Sequence, residues 1–212
     1  MKSVNINRAK VEGIFSELEK PVKLLLFIRE SECLHCSEAR EILAELADIT
    51  HKVTLETYNF AINKEKAAEF NIQRVPAIVP ISNKDYGIRY YGLPTRLEFE
   101  YFLKNIVDIS RGRTEMSDAH RGSVQAFASP LHVQLFVHGE SGFGSDTMCN
   151  LARMAVESER LSVDFIDPLA FPELVKKYHI KGVPFAVVDE KMNFYAAMSK
   201  DELLDQLEKA SR

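Results

Sequence analysis

Tryptophan is absent from this 212-residue chain, cysteine occurs only three times, and glycine and proline are held to nine and eight. Three cysteines cannot build the dense disulfide framework of small secreted domains, and so little glycine and proline excludes collagen-like or low-complexity character. No apolar run approaches the roughly 20 residues that a membrane-spanning helix needs, so no membrane partner is expected. Basic residues do not outnumber acidic ones: the formal net charge is −4, which gives no general attraction to nucleic acid. Met1 to Lys20 intersperses Arg8, Lys10, Glu12, Glu17 and Glu19 and does not read as a secretory leader. A cytoplasmic, reducing setting is the expectation, where a close pair of cysteines is more often catalytic or metal-binding than structural.

Two of the three cysteines stand together in Glu32-Cys33-Leu34-His35-Cys36-Ser37. Upstream, Val22 to Ile28 is a nearly unbroken apolar run of the kind that forms a central strand covered on both faces. Downstream, Ala39, Ile42, Leu43, Leu46 and Ala47 recur at helical spacing, which places both thiols at the first turn of a helix. Unsatisfied N–H groups and the positive end of the helix dipole favour an anion there, and thiolate is the reactive form of cysteine. Cys33 is therefore the expected lower-pKa, more exposed sulfur and Cys36 its resolving neighbour. His35 supplies a group able to carry positive charge beside the pair, opposed by Glu30, Glu32 and Glu38.

The chain in order reads as a short helix over Arg8–Leu18, the strand and redox helix, a strand over Val53–Phe60, a helix over Lys64–Phe70, and strands over Pro76–Ile81 and Ile88–Tyr91. A further helix starts at Thr95, with Glu98 completing a capping box. The second half repeats that order from Leu131 to a final helix with Ser199 and Glu202 as its capping box. Phe70, Ile72 and Val75-Pro76 match Tyr178, Ile180 and Val183-Pro184 at an offset of 108, and Phe27-Ile28 matches Phe136-Val137 at 109. The polar stretch Arg111–Ser129 is the expected joint, with a helix inside it at Ala119–Phe127. Two units follow, residues 1–116 and 117–212.

An apolar strand, a C-x-x-C at a helix start and a Val-Pro about forty residues later, opening the next strand, together resemble the thioredoxin and glutaredoxin superfamily. Two such units in tandem, with the run from Lys84 to Pro94 followed by Glu98-Phe99, look like the glutaredoxin-like protein disulfide oxidoreductases. The resemblance implies an α/β fold of two thioredoxin-like units, each a central mixed sheet flanked by helices. It implies that Cys33 attacks, that Cys36 resolves, and that Pro76 is a cis-proline lying against the sulfurs, with Val75 offering backbone to an extended substrate and Arg74 and Gln73 near by. His35 before the resolving cysteine also resembles the pattern of eukaryotic protein disulfide isomerases. The implied activity is thiol–disulfide exchange on protein disulfides without a bound cofactor, the redox-active disulfide Cys33–Cys36 being the working group. Electrons would come from an NADPH-linked, thioredoxin reductase-like flavoprotein; the oligomeric state is left open.

The second unit departs from that pattern. It reads Asp146-Thr147-Met148-Cys149, so the attacking position is Asp and only the resolving position keeps sulfur. Its approach loop, His138–Ser145, is four residues longer, since Phe136 to Cys149 spans 13 positions and Phe27 to Cys36 spans 9. The loop carries no Lys or Arg and no full phosphate motif, so plain lengthening outweighs anion binding. Cys149 reads as a small buried hydrophobe and Pro184 as a shaping residue. No metal is expected, because zinc normally needs four ligands and no second close Cys or His pair exists. Two alternatives remain: a non-catalytic or redox-sensing binding module, and a glutathione-linked glutaredoxin.

Overall fold

The computed structural model describes residues 6–31, 33–139 and 142–212. The first half runs α1 (Arg8–Phe15), β1 (Val22–Ile28), α2 (Cys36–Ala47), β2 (Val53–Asn59), α3 (Lys64–Glu69), β3 (Ala77–Ile81), β4 (Ile88–Tyr91) and α4 (Arg96–Arg111). The second runs α5 (Asp118–Gln125), β5 (Leu131–Phe136), α6 (Gly142–Glu157), β6 (Leu161–Ile166), α7 (Pro172–Lys177), β7 (Phe185–Val188), β8 (Met192–Tyr195) and α8 (Lys200–Ser211). The fold is α/β.

All eight strands join one sheet in the order β2-β1-β3-β4-β6-β5-β7-β8. Within each half the pairing is the same: the first strand is parallel to the second and antiparallel to the third, which is antiparallel to the fourth. The halves meet where β4 pairs in parallel with β6, Tyr91 standing opposite Ile166. Consequently the C-terminal ends of β1, β4 and β5 and the N-terminal ends of β3 and β7 all lie at one end of the sheet.

Alternation along β1 explains its apolar run. Leu24, Leu26 and Ile28 enter a core shared with α1, α2, α4, α5, α6 and α8, while Leu25 and Phe27 enter the core beneath α3 and α7. From Leu24 onward the strand is buried on both faces and has no position for polar residues; Lys23, near its start, is exposed and pairs with Glu56. Capping boxes close the starts of α4, with Thr95 and Glu98, and of α8, with Ser199 and Glu202.

Boundaries differ from the sequence expectation in instructive places. α1 stops at Phe15, where Ser16 turns back onto Gly13 O at 2.7 Å, and Leu18 reaches the core from the following turn. β3 starts at Ala77, one residue past Pro76, whose nitrogen has no hydrogen to give to the ladder. The helix in the joint spans Asp118–Gln125 because Ser117 caps it through His120 N.

Candidate functional site

Cys33 and Cys36 are joined as a disulfide with their Cα atoms 5.6 Å apart, inside the usual span for such a bridge. The two sulfurs differ in setting. Cys36 is the first residue of α2 and is buried, while Cys33 precedes the helix and is half-exposed. Only Cys36 thus sits in the first helical turn; the sequence had suggested that both would. The reason is His35, which takes the N-cap position with a left-handed φ of 66° and makes no capping hydrogen bond with its ring. That ring turns instead towards Glu38, with Nδ1 3.3 Å from the carboxylate. Glu32 lies outside the described residues.

The partner elements arrive through sheet register. Phe27 pairs with Ala77, so the residues just beyond β1 and just before β3 face each other at the same sheet end. The Val75–Pro76 peptide there is cis, and Pro76 O accepts from Gly92 N at 3.0 Å. Cys33 and Val75 both pack, partly buried, against the core on the α2 face. Arg74 is held by aromatic faces, its guanidinium 5.2 Å from the Tyr91 ring centre and 5.9 Å from that of Phe171. Its charge is spent across the seam between the halves.

In the second half, Phe136 pairs with Phe185, and the Val183–Pro184 peptide is likewise cis. Here the helix has taken over the lengthened segment. α6 begins at Gly142, so Cys149 is its eighth residue, whereas Cys36 is the first of α2. Four extra residues amount to about one more helical turn. The expectation of a simple longer loop through Ser145 is therefore corrected: from Gly142 onward it is helix, and Glu140 and Ser141 lie outside the described residues. Asp146 accepts a 2.9 Å hydrogen bond from the Tyr101 hydroxyl, which pushes that phenol up to about 12. Cys149 is only half-buried, and burial raises its thiol above the usual range. It borders a cavity of about 710 Å³ shared with Tyr101, Lys104, Asp146 and Arg153.

One group with unusual chemistry was legible in the sequence only as a helix cap. Glu98 is 5% exposed, accepts from Thr95 N, and has an Oε1 with no hydrogen-bond partner among the described residues. Burial, with Asp167 near by, pushes its carboxyl up to about 7. Among the described residues no group of three or more His, Cys, Asp or Glu side chains could hold a metal ion, and no helix is long and apolar enough to cross a membrane.

No family model matches the chain, and no curated protein matches it. Solved structures do. The N-terminal N/C domain of alkylhydroperoxide reductase AhpF from Enterococcus faecalis superposes with a TM-score of 0.87 at 24% identity, covering 94% of this chain and 97% of that one. A protein disulfide oxidoreductase from Aeropyrum pernix gives 0.86 at 16% identity, covering 100% of this chain and 94% of the other. Sso1120 from Sulfolobus solfataricus gives 0.67 at 16%, covering 88% and 97%. The fold is that of thioredoxin, with its strand pattern present twice. At these identities the likeness carries architecture, and chemistry must come from the residues themselves.

Proposed function

We propose that this protein is a thiol–disulfide oxidoreductase that acts on protein disulfides through the single couple Cys33–Cys36. The reading rests on one observation: a closed Cys33–Cys36 bridge, with one sulfur half-exposed and the other buried at the head of α2, at the sheet end that also carries Val75–Pro76. In the reduced form the Cys33 thiolate attacks one sulfur of a substrate disulfide. A mixed disulfide forms and the other substrate sulfur leaves as a thiolate. Cys36, having given up its proton, attacks Cys33 Sγ, which releases the second substrate sulfur and closes the bridge. Two electrons pass to the substrate. An external dithiol, by analogy that of an NADPH-linked flavoprotein of the thioredoxin reductase type, reopens the bridge.

The asymmetry of exposure supports the division of labour, since an incoming sulfur can approach Cys33 and not Cys36. First-turn N–H groups of α2 favour negative charge next to it. His35, turned to Glu38, is the proposed regulator of how much positive charge faces the couple. Val75 and Pro76 are the proposed docking edge for an extended substrate strand, with Arg74 bracing that turn from behind. Asp146, Cys149, Val183 and Pro184 form the proposed degenerate counterpart in a second unit, residues 117–212, whose first unit is residues 1–116. A reducing, cytoplasmic setting suits a couple that must be reopened after each turnover. The likeness to the AhpF domain adds alkyl hydroperoxide reduction as a proposed destination for the electrons.

Dithiol-driven reduction of insulin disulfides tests the proposal. Turnover is expected from the parent and from Cys149→Ser, and a loss of at least about a hundredfold from Cys33→Ser. Stoichiometric oxidation of Cys33 and Cys36 without turnover would overturn it in favour of a redox sensor.

A further inference from the structure

The carbonyl of Ile28, at the end of β1, accepts from Phe60 N at 2.8 Å, so the chain leaving β2 is latched beside the segment that leads to Cys33. Where these two chains meet the start of α3, a cavity of about 500 Å³ opens to solvent. Phe60, Ala61, Ala68 and Ile72 give it apolar walls, Arg29 and Lys64 contribute two positive charges, and among the described residues no acidic side chain lines it. The Arg29 guanidinium lies over the Phe60 ring at 5.1 Å, which holds the charge at the wall. Two further apolar side chains are exposed on the flanking segments, Ile62 at 76% in the loop after Phe60 and Leu34 at 57% between the two cysteines.

Two cations border this hollow although the chain as a whole carries a net charge of −4. A hollow of about 500 Å³ with apolar walls suits a large apolar side chain, and the like charges specify the sign of what sits beside it. Resting on the exchange chemistry proposed above, we propose that this hollow is a specificity pocket for the protein client. It takes a large apolar side chain, aromatic or branched, that neighbours an acidic residue on the client segment carrying the disulfide. The apolar group fills the hollow between Phe60 and Ala68, and the client carboxylate meets Arg29 and Lys64. Cys33 and this pocket share one end of the sheet, on its α2 and α3 sides respectively, and the proposed client segment crosses that end to reach both. Uncharged apolar clients gain only the first contact, and basic clients are repelled.

Fluorescence anisotropy with cysteine-free labelled peptides tests docking apart from chemistry. Peptides carrying Phe-Asp, Phe-Lys, Ser-Asp or Ser-Lys in one otherwise constant sequence are titrated with the oxidised protein. The Phe-Asp peptide is expected to bind about tenfold more tightly than Phe-Lys or Ser-Asp, in a salt-dependent way. Arg29→Glu with Lys64→Glu should reverse the Asp-over-Lys preference, and Ala68→Glu, which fills the hollow, should erase the preference for Phe. Equal affinities across the four peptides, or preferences untouched by these variants, would overturn the proposal. So would self-association of the protein that Ala68→Glu abolishes, because the occupant would then be a second copy. Insulin turnover by each variant is measured in parallel. Peptide preference without turnover in the parent sinks the exchange chemistry and leaves the pocket standing; turnover without preference does the opposite.

Discussion

The Tyr101 hydroxyl, on α4, donates a 2.9 Å hydrogen bond to the Asp146 carboxylate on α6. Asp146 stands at the position that matches Cys33 of the first half, so the carboxylate found there in place of a sulfur makes a contact that ties the helix of one half to the other. A second change accompanies it: α6 starts four residues before Asp146, whereas Cys33 precedes α2 altogether.

Restoring the missing cysteine should therefore fail to restore chemistry. In Asp146→Cys combined with Cys33→Ser, the new thiol sits inside a helix, past its first turn, beside a Cys149 whose own thiol is raised by burial. Insulin reduction by this variant should stay at the level of Cys33→Ser alone. Recovery to within tenfold of the parent would mean that one residue, and not the helix start, disabled the second site.

Glu98 makes stability fall as pH rises. Its carboxyl is held at about 7 in the folded chain against 4.5 in the reference state, so the folded state keeps the proton more firmly. The stabilisation is complete below the unfolded pKa and is lost as pH rises through 7, with the charged form costing roughly 3 kcal/mol once fully ionised. Glu98→Gln keeps an acceptor for Thr95 N and removes the ionisation. Its Tm should exceed that of the parent at about pH 8, and the two should converge towards about pH 4. Parallel Tm curves for the two proteins across that range would contradict this.

Gly92 closes the seam between the halves by having no side chain. Its φ is +102°, and a Cβ there would come within 2.7 Å of Asp167 Cβ. Gly92→Ala meets both the strained backbone and the clash, so a loss of roughly 2 kcal/mol is expected, a Tm drop of about 4–8 °C for a chain of this size. Calorimetry checks it; an unchanged Tm would show that the seam gives way easily.

Arg74 should matter more for stability than its exposure suggests. It lies over Tyr91 in one half and Phe171 in the other, so Arg74→Ala removes two ring contacts and should cost about 1 kcal/mol in urea unfolding, with Arg74→Lys intermediate. A loss below about 0.3 kcal/mol would place the guanidinium outside the seam's energetics.

Much of the site was legible because it depends on spacing. Two cysteines three positions apart where an apolar strand gives way to a helix come within bonding reach through the turn at the helix start. Thr95 with Glu98 and Ser199 with Glu202 announced helix starts, since a cap is a contract between residues three apart. Glu98 shows the limit of such reading: the cap was visible, its burial was not. Arg74 lies over two rings, one of them 97 positions further along the chain, a contact that no spacing in the sequence reveals. Phe60 and Arg29 had no signal at all, because their contact depends on where β2 ends beside β1.

The amino-acid order by itself determined the α/β alternation, the repeated half, the close pair of cysteines and the Asp at position 146 where the first half has Cys33, all of which follow from periodicity and short separations. Tertiary structure alone decided that both halves share one eight-stranded sheet through β4 and β6, that only Cys36 enters the helix, and that Glu98 is sealed beside Asp167. The physical reason is that burial and pairing are properties of distant segments brought together, and neither backbone propensity nor spacing carries that information.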